Sequence, residues 1–194
     1  MNLTPLIITF ILIMIAELGD KTQLVVITLC SKWSRTLVFL GAMLGFLLVD
    51  GLSVLVGEAL AIILPTFWIK LGSGIIFIFS GIFTLFSNKE KVEEKEICSY
   101  HFTILSVFLL VSLMELGDKT QLMVIVLSAQ YNAPLLIFLG VMLAFGAVTG
   151  MGVAIGGLLQ KIVPQKYVKI IAASVFILFG LLLLVNVFLG SKIL

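Results

Sequence analysis

The 194-residue chain is 61% hydrophobic and 11% charged, with a mean hydropathy of +1.30, whereas an average soluble domain is about 45–50% apolar and roughly a quarter charged. A domain of this size cannot hide so much apolar surface from water, which excludes a soluble enzyme, a nucleic-acid-binding module and a disordered chain. The net charge of +2 is too weak to draw an anionic partner, so the composition is that of an integral membrane protein whose positive charges serve topology.

A spanning helix needs about 20 mostly apolar residues. In chain order, the segments 5–30, 36–63, 67–87, 103–129, 135–160 and 167–190 meet that requirement. The first lacks a basic leader and a small-residue cleavage site and carries Glu17, Asp20 and Lys21, so it is expected to stay as a helix. Short breaks follow at SKWSR (31–35) and at Pro65, then a polar stretch over 88–101, then QYNAP (130–134) and a corner around Pro164. Ten-residue alternation of polar and apolar residues is lacking, which excludes a membrane β-barrel. Cys30 and Cys98 form no metal-binding or redox spacing and are expected as free thiols.

The segments repeat. ELGDKTQL at 17–24 recurs unchanged at 115–122, an offset of 98. FLGAML (39–44) matches FLGVML (138–143) at an offset of 99, which also pairs Gly51 with Gly150, Gly57 with Gly156, Pro65 with Pro164, Lys70 with Lys169 and Gly81 with Gly180. The expected organisation is a three-helix repeat over 1–87, a charged cytoplasmic linker over 88–101 and a second three-helix repeat over 102–194. An odd number of spans per copy sets the second copy upside down. The expected fold is therefore all-α and integral to the membrane, six transmembrane helices as two inverted repeats, an architecture typical of secondary transporters with a midplane site. Lys32, Arg35, Lys89, Lys91, Lys95, Lys161, Lys166 and Lys169 fall on one side and Lys70 and Lys192 on the other, which puts the eight in the cytoplasm and both termini outside a cell membrane.

Chemistry is concentrated in the duplicated motif. Glu17, Asp20, Glu115 and Asp118 are expected near the bilayer centre, where an ionised group costs roughly 2.5–3.5 kcal/mol and usually marks an ion pathway. On a continuous helix, Glu and Asp three apart share a face and the Lys four residues after the Glu lies beside it. Four carboxylates contribute −4 and Lys21 and Lys119 return +2, leaving −2, which one divalent cation or two protons would neutralise. Carboxylates, the Gln23 and Gln121 amides and the Thr22 and Thr120 hydroxyls are hard oxygen donors suited to Ca²⁺ or Mn²⁺. Buried ion pairs that merely join helices would account for Glu and Lys but not for the two further aspartates.

Two E-x-G-D-K-T motifs, each opening a three-helix half, resemble the calcium:proton antiporter-2 family, the Gdt-type cation exchangers. That group includes Golgi and thylakoid calcium/manganese transporters and bacterial manganese exporters, and the resemblance covers nearly the whole chain. It implies Mn²⁺ and/or Ca²⁺ exchanged for protons, with Glu17, Asp20, Glu115 and Asp118 as ligands and Lys21, Thr22, Lys119 and Thr120 as motif positions.

Asp50, whose repeat-mate is Thr149, is an accessory candidate, either a further ligand or proton carrier or a packing partner. Glu58 reads as interfacial, His101 as a polar boundary residue, and Gly41/Gly45 and Gly146/Gly150 as tight helix-packing patterns. The expected function is a proton-coupled exporter of Mn²⁺ or Ca²⁺, not an enzyme, with no resident cofactor and the metal as cargo. Its partners are the lipid bilayer, the cation and protons, and no nucleic acid. One chain holds both halves, so a monomer suffices and a homo-oligomer is compatible. An exporter of a small organic cation or amino acid, and a passive divalent channel, are the alternatives.

Overall fold

The computed structural model describes residues 3–86, 103–155 and 165–189. These residues form eight helices: α1 (Thr4–Glu17), α2 (Lys21–Lys32), α3 (Arg35–Ile63), α4 (Thr66–Phe86), α5 (Thr103–Glu115), α6 (Lys119–Tyr131), α7 (Pro134–Ile155) and α8 (Gln165–Leu189). The charged stretch 88–101 with Cys98, His101, the end of the segment 135–160, and the corner around Pro164 lie outside the described residues. Helices α3, α4, α7 and α8 contain stretches of 20 to 29 residues long and apolar enough to cross a membrane, which makes this a multi-pass membrane protein.

The continuous helices expected over 5–30 and 103–129 are instead each broken in two at the motif. The first helix ends at Glu17, with the Leu18 N–H still reaching the Met14 carbonyl at 3.1 Å. Gly19 then turns to φ 73° and Gly117 to φ 80°, the left-handed region that costs an L-residue with a Cβ about 1–2 kcal/mol. Asp20 (φ −74°, ψ 169°) and Asp118 (φ −78°, ψ 164°) return to extended backbone and start the next helix as its cap. The glycine amides, turned out of the helical ladder, find acceptors in their own motifs: Gly19 N–H donates to Gln23 Oε1 at 2.7 Å and Gly117 N–H to Gln121 Oε1 at 2.8 Å. A backbone donor left without a partner is costly, so each glutamine offsets the bond that the break removes from the helical ladder.

Packing exchanges partners between the two copies of the sequence. The long α3 lies along α5, α6 and α7, while α1 and α2 lie against α7, and α4 runs beside α8. Gly41 permits the first of these contacts, since a Cβ there would stand 2.8 Å from the Ile104 carbonyl oxygen and from Val107 Cβ; Gly140, its repeat-mate, presses α7 on α1 with the Leu6 carbonyl oxygen 2.7 Å from an added Cβ. Gly45 also closes on α5, but Gly146 and Gly150 meet only Met43 and Phe39 side chains at 3.8 and 3.9 Å. The small-residue pattern thus finds the seam in α3 and misses it in α7, where the close approach lies further toward the N-terminus of the helix. Repeat-mates also meet face to face in the core: Phe46 stacks on Phe145 with centroids 3.8 Å apart, and Phe77 meets Phe176 at 6.2 Å.

Candidate cation site

The two helix breaks meet in the interior, and each motif is completed by the other. Glu17 and Glu115 are the last residues of α1 and α5, only 2% and 1% exposed. The Thr120 hydroxyl donates to Glu17 Oε1 at 2.5 Å, and the Thr22 hydroxyl donates to Glu115 Oε1 at 2.7 Å. Lys21 Nζ pairs with Asp118 Oδ1 at 3.2 Å, and Lys119 Nζ pairs with Asp20 Oδ2 at 3.0 Å. These four contacts are two reciprocal pairs. The expectation that Lys21 sits one turn along the same face as Glu17 is corrected here, because a four-residue helical neighbour requires an unbroken helix between the two positions.

The glutamates and lysines each stand at the end of a helix that disfavours their charge, whereas Asp20 and Asp118 stand at N-termini that favour theirs. Carbonyl groups without helical partners give a helix C-terminus partial negative charge, and free N–H groups give an N-terminus partial positive charge. Glu17 and Glu115 close their helices, while Lys21 and Lys119 open theirs. The lysines are balanced by the aspartates across the break. The glutamates have one threonine hydroxyl each, and the carbonyl ends beside them add to their negative potential. The result is a buried locus that favours a cation.

Its geometry fits one. Glu17, Glu115 and Asp118 offer carboxylate oxygens that all lie within 4.8 Å of one another. Oxygens at that separation are spanned by a single ion with bonds of about 2.3–2.6 Å, the range of Ca²⁺. Asp118 caps α6 without using its side chain to bond the helix, and its Oδ2 is buried with no hydrogen-bond partner. Cap aspartates ordinarily spend a carboxylate oxygen on the first free N–H groups of the helix, so this oxygen is held in reserve.

The predicted site residues therefore separate into groups. Glu17, Glu115 and Asp118 converge. Asp20 joins through its ion pair with Lys119 at the partly exposed edge. Thr22 and Thr120 use their hydroxyl protons on the glutamates and orient them. Gln23 and Gln121 turn their carbonyl oxygens to the glycine amides, and Gln23 Nε2 also reaches the Val148 carbonyl on α7 at 3.2 Å. Asp50 is buried on α3, within electrostatic reach of Glu17 and Glu115. Sequence reasoning missed the helix breaks and the glutamine caps. The signal was present, since Gly followed by Asp is the usual stop-and-restart pair of helix punctuation.

The chain matches the family model of the divalent cation/proton antiporter GDT1 over residues 5–92 and 103–191, so one motif falls in each stretch. A GDT1-like protein of Synechocystis is 29% identical over 198 residues, covering 92% of this chain and 95% of that protein. A Vibrio cholerae protein that bears the name "Putative manganese exporter" is 27% identical over 187 residues, covering 92% and 90%. The chloroplastic GDT1-like protein 1 of rice (Oryza sativa subsp. japonica) is 27% identical over 208 residues and covers 92% of this chain, which spans only 61% of the rice protein. No solved structure matches the chain. A buried cluster of carboxylates between two broken, reciprocally bonded helices agrees with that match, and the chain belongs to the divalent cation/proton antiporter family GDT1, a family of transporters and not of enzymes.

Proposed function

We propose that this protein exchanges a divalent cation, Mn²⁺ first and Ca²⁺ second, for protons, and that it carries the metal out of the cytoplasm across a cell membrane. The observation that carries the reading is the triad of Glu17, Glu115 and Asp118 with oxygens within 4.8 Å. Mn²⁺ and protons compete for these oxygens, so binding one expels the other, which is the coupling an exchanger needs. The Vibrio relative's name supports manganese as cargo. The donors are oxygen only, which suits Mn²⁺ and Ca²⁺ and disfavours thiolate-seeking metals. A triad so closely drawn together leaves little room for an organic cation.

In this reading each broken helix pair, α1 with α2 and α5 with α6, crosses the membrane once. With α3, α4, α7 and α8 that makes six crossings in two inverted three-helix halves, 1–87 and 102–194, joined by a cytoplasmic linker over 88–101, with both termini outside. The face-to-face repeat-mates Phe46/Phe145 and Phe77/Phe176 and the reciprocal motif contacts support an approximate twofold relation between the halves. Irregular backbone at membrane depth is tolerated only where protein or a polar cavity satisfies it, and half-helix ends there typically face the transported ion. Glu17, Glu115 and Asp118 bind the cation, with Asp20 at the edge. Thr22 and Thr120 aim the glutamates, Lys21 and Lys119 hold the aspartates, and Gln23 and Gln121 hold the breaks.

Purified protein in liposomes with a trapped metal-sensitive dye tests this reading. Mn²⁺ flux should follow an imposed pH gradient in sign and size, with Ca²⁺ slower. Flux indifferent to the gradient would indicate a channel, and absence of flux for both ions would remove the metal assignment.

A further inference from the structure

We propose that Asp50 is a fifth carboxylate of the cation site, an oxygen ligand supplied by α3 for which the second half of the chain has no counterpart. The proposal rests on the reading of the Glu17, Glu115 and Asp118 triad as a divalent-cation site. Asp50 is 1% exposed and its Oδ2 is buried with no hydrogen-bond partner. A carboxylate kept only for packing would have its oxygens satisfied, because a buried polar atom without a partner is destabilising and rare. The nearest hydroxyl on its own helix, that of Ser53 one turn on, donates to the Val49 carbonyl at 2.7 Å.

The packing of α3 sets Asp50 at the level of the site. Gly45 closes on Val111 of α5, and Gly57 closes on Ile125 and Ser128 of α6. Ser128 Oγ adds a 2.9 Å bond to the Val54 carbonyl. Asp50 lies on α3 between these two anchors, and between Val111 and Ile125 the facing chain is the broken motif with Glu115 and Asp118. Phe46, one turn before Asp50, stacks on Phe145 and fixes the helix on its other flank. Asp50 stands outside the tight triad and within electrostatic reach of both glutamates. A divalent ion of the Ca²⁺ type takes 6–8 oxygens, more than three carboxylates supply singly, so a further anionic donor adjoining the triad has a use.

The equivalent position of the second half is Thr149, buried at 3%. The motif contacts are duplicated, but this carboxylate is not. The ion therefore meets an additional anion on the α3 side of the site.

The test is a calorimetric Mn²⁺ titration of the purified full-length chain, with thermal midpoints taken with and without Mn²⁺. Asp50→Asn keeps the shape and removes the charge; Asp50→Thr installs the residue that the repeat carries. Both variants should bind Mn²⁺ about tenfold or more weakly, since a full charge next to a divalent ion in a partly dry interior is worth at least that factor. The metal-free midpoint should hold or rise, while the Mn²⁺-induced shift shrinks. Should the Asn variant fail to fold, the Thr variant decides. Wild-type Mn²⁺ affinity in the Asp50 variants, with binding lost in Glu115→Gln, would overturn the assignment of Asp50 and leave the triad standing. A lowered metal-free midpoint with an intact Mn²⁺ shift would mark Asp50 as a packing residue and overturn it equally. Wild-type affinity in Glu115→Gln would overturn the cation reading, and Asp50 with it.

Discussion

At the scale of single residues, the glutamates and lysines of the site stand at ill-matched helix ends, each met by a group from the other motif. Replacing Glu17 or Glu115 by Gln removes a buried anion without changing the shape of the side chain. Each variant is expected to insert and fold, with a metal-free thermal midpoint equal to or above that of the wild type, because an uncompensated buried charge is destabilising. Each should lose Mn²⁺-driven stabilisation, which for the wild type at a hundredfold excess over Kd amounts to about 2.7 kcal/mol. Thermal unfolding in detergent with and without Mn²⁺ checks both statements. The Lys119–Asp20 pair, 3.0 Å apart with side chains 17% and 21% exposed, is partly open to solvent. Lys119→Met and Asp20→Asn should each destabilise, and the double variant should lose less than the sum of the two. A coupling energy of about 0.5–1 kcal/mol in a double-mutant cycle is expected, the discount reflecting solvent screening.

At the scale of helices, the glycine–aspartate breaks and their glutamine caps decide where the charges stand. An added Cβ on Gly117 meets nothing within 4 Å, so Gly117→Ala isolates the conformational cost of φ 80° and should destabilise by about 1–2 kcal/mol. The caps are not equivalent. Gln23 is buried at 4% and also holds the Val148 carbonyl, whereas the Gln121 bond to Gly117 is exposed. Gln23→Leu should therefore destabilise by about 1–3 kcal/mol for a buried donor left unpaired, seen as a lowered thermal midpoint, and Gln121→Leu by less. Equal losses would show that the asymmetry has no energetic weight. Much of this level was legible in the residues. The positions of α3, α4, α7 and α8 follow hydropathy, because a long apolar run reads as a spanning helix. The breaks at Leu18-Gly19-Asp20 and Leu116-Gly117-Asp118 escape it, because a three-residue interruption barely alters the mean of a 26-residue apolar window. The carboxylates were readable from their cost in a membrane. Their partners were not, since Thr120 on Glu17 and Lys21 on Asp118 join residues about a hundred positions apart, and the helical spacing rule pointed to the wrong neighbour.

At the scale of the whole molecule, two copies of one sequence unit pack so that each builds half of a common site. The contacts of α3 with α5 and α6, and of α7 with α1 and α2, cross between the copies, so neither copy buries its motif without the other. Single cysteines placed at Ser34 and Ala133 test the inverted arrangement: a membrane-impermeant maleimide should label them from opposite sides of intact cells, and labelling from the same side would contradict it. In the proposed exchange, metal and protons share the oxygens of Glu17, Glu115 and Asp118, which lie within 4.8 Å of one another. The most direct measurement is the proton release on Mn²⁺ binding, read with a pH electrode or indicator dye in weakly buffered detergent solution. Addition of Mn²⁺ to the wild type should acidify the medium in saturable proportion to metal bound, and Glu115→Gln should abolish both the binding and the acidification. Mn²⁺ binding without proton release, or release that survives in Glu115→Gln, would contradict a shared carboxylate site.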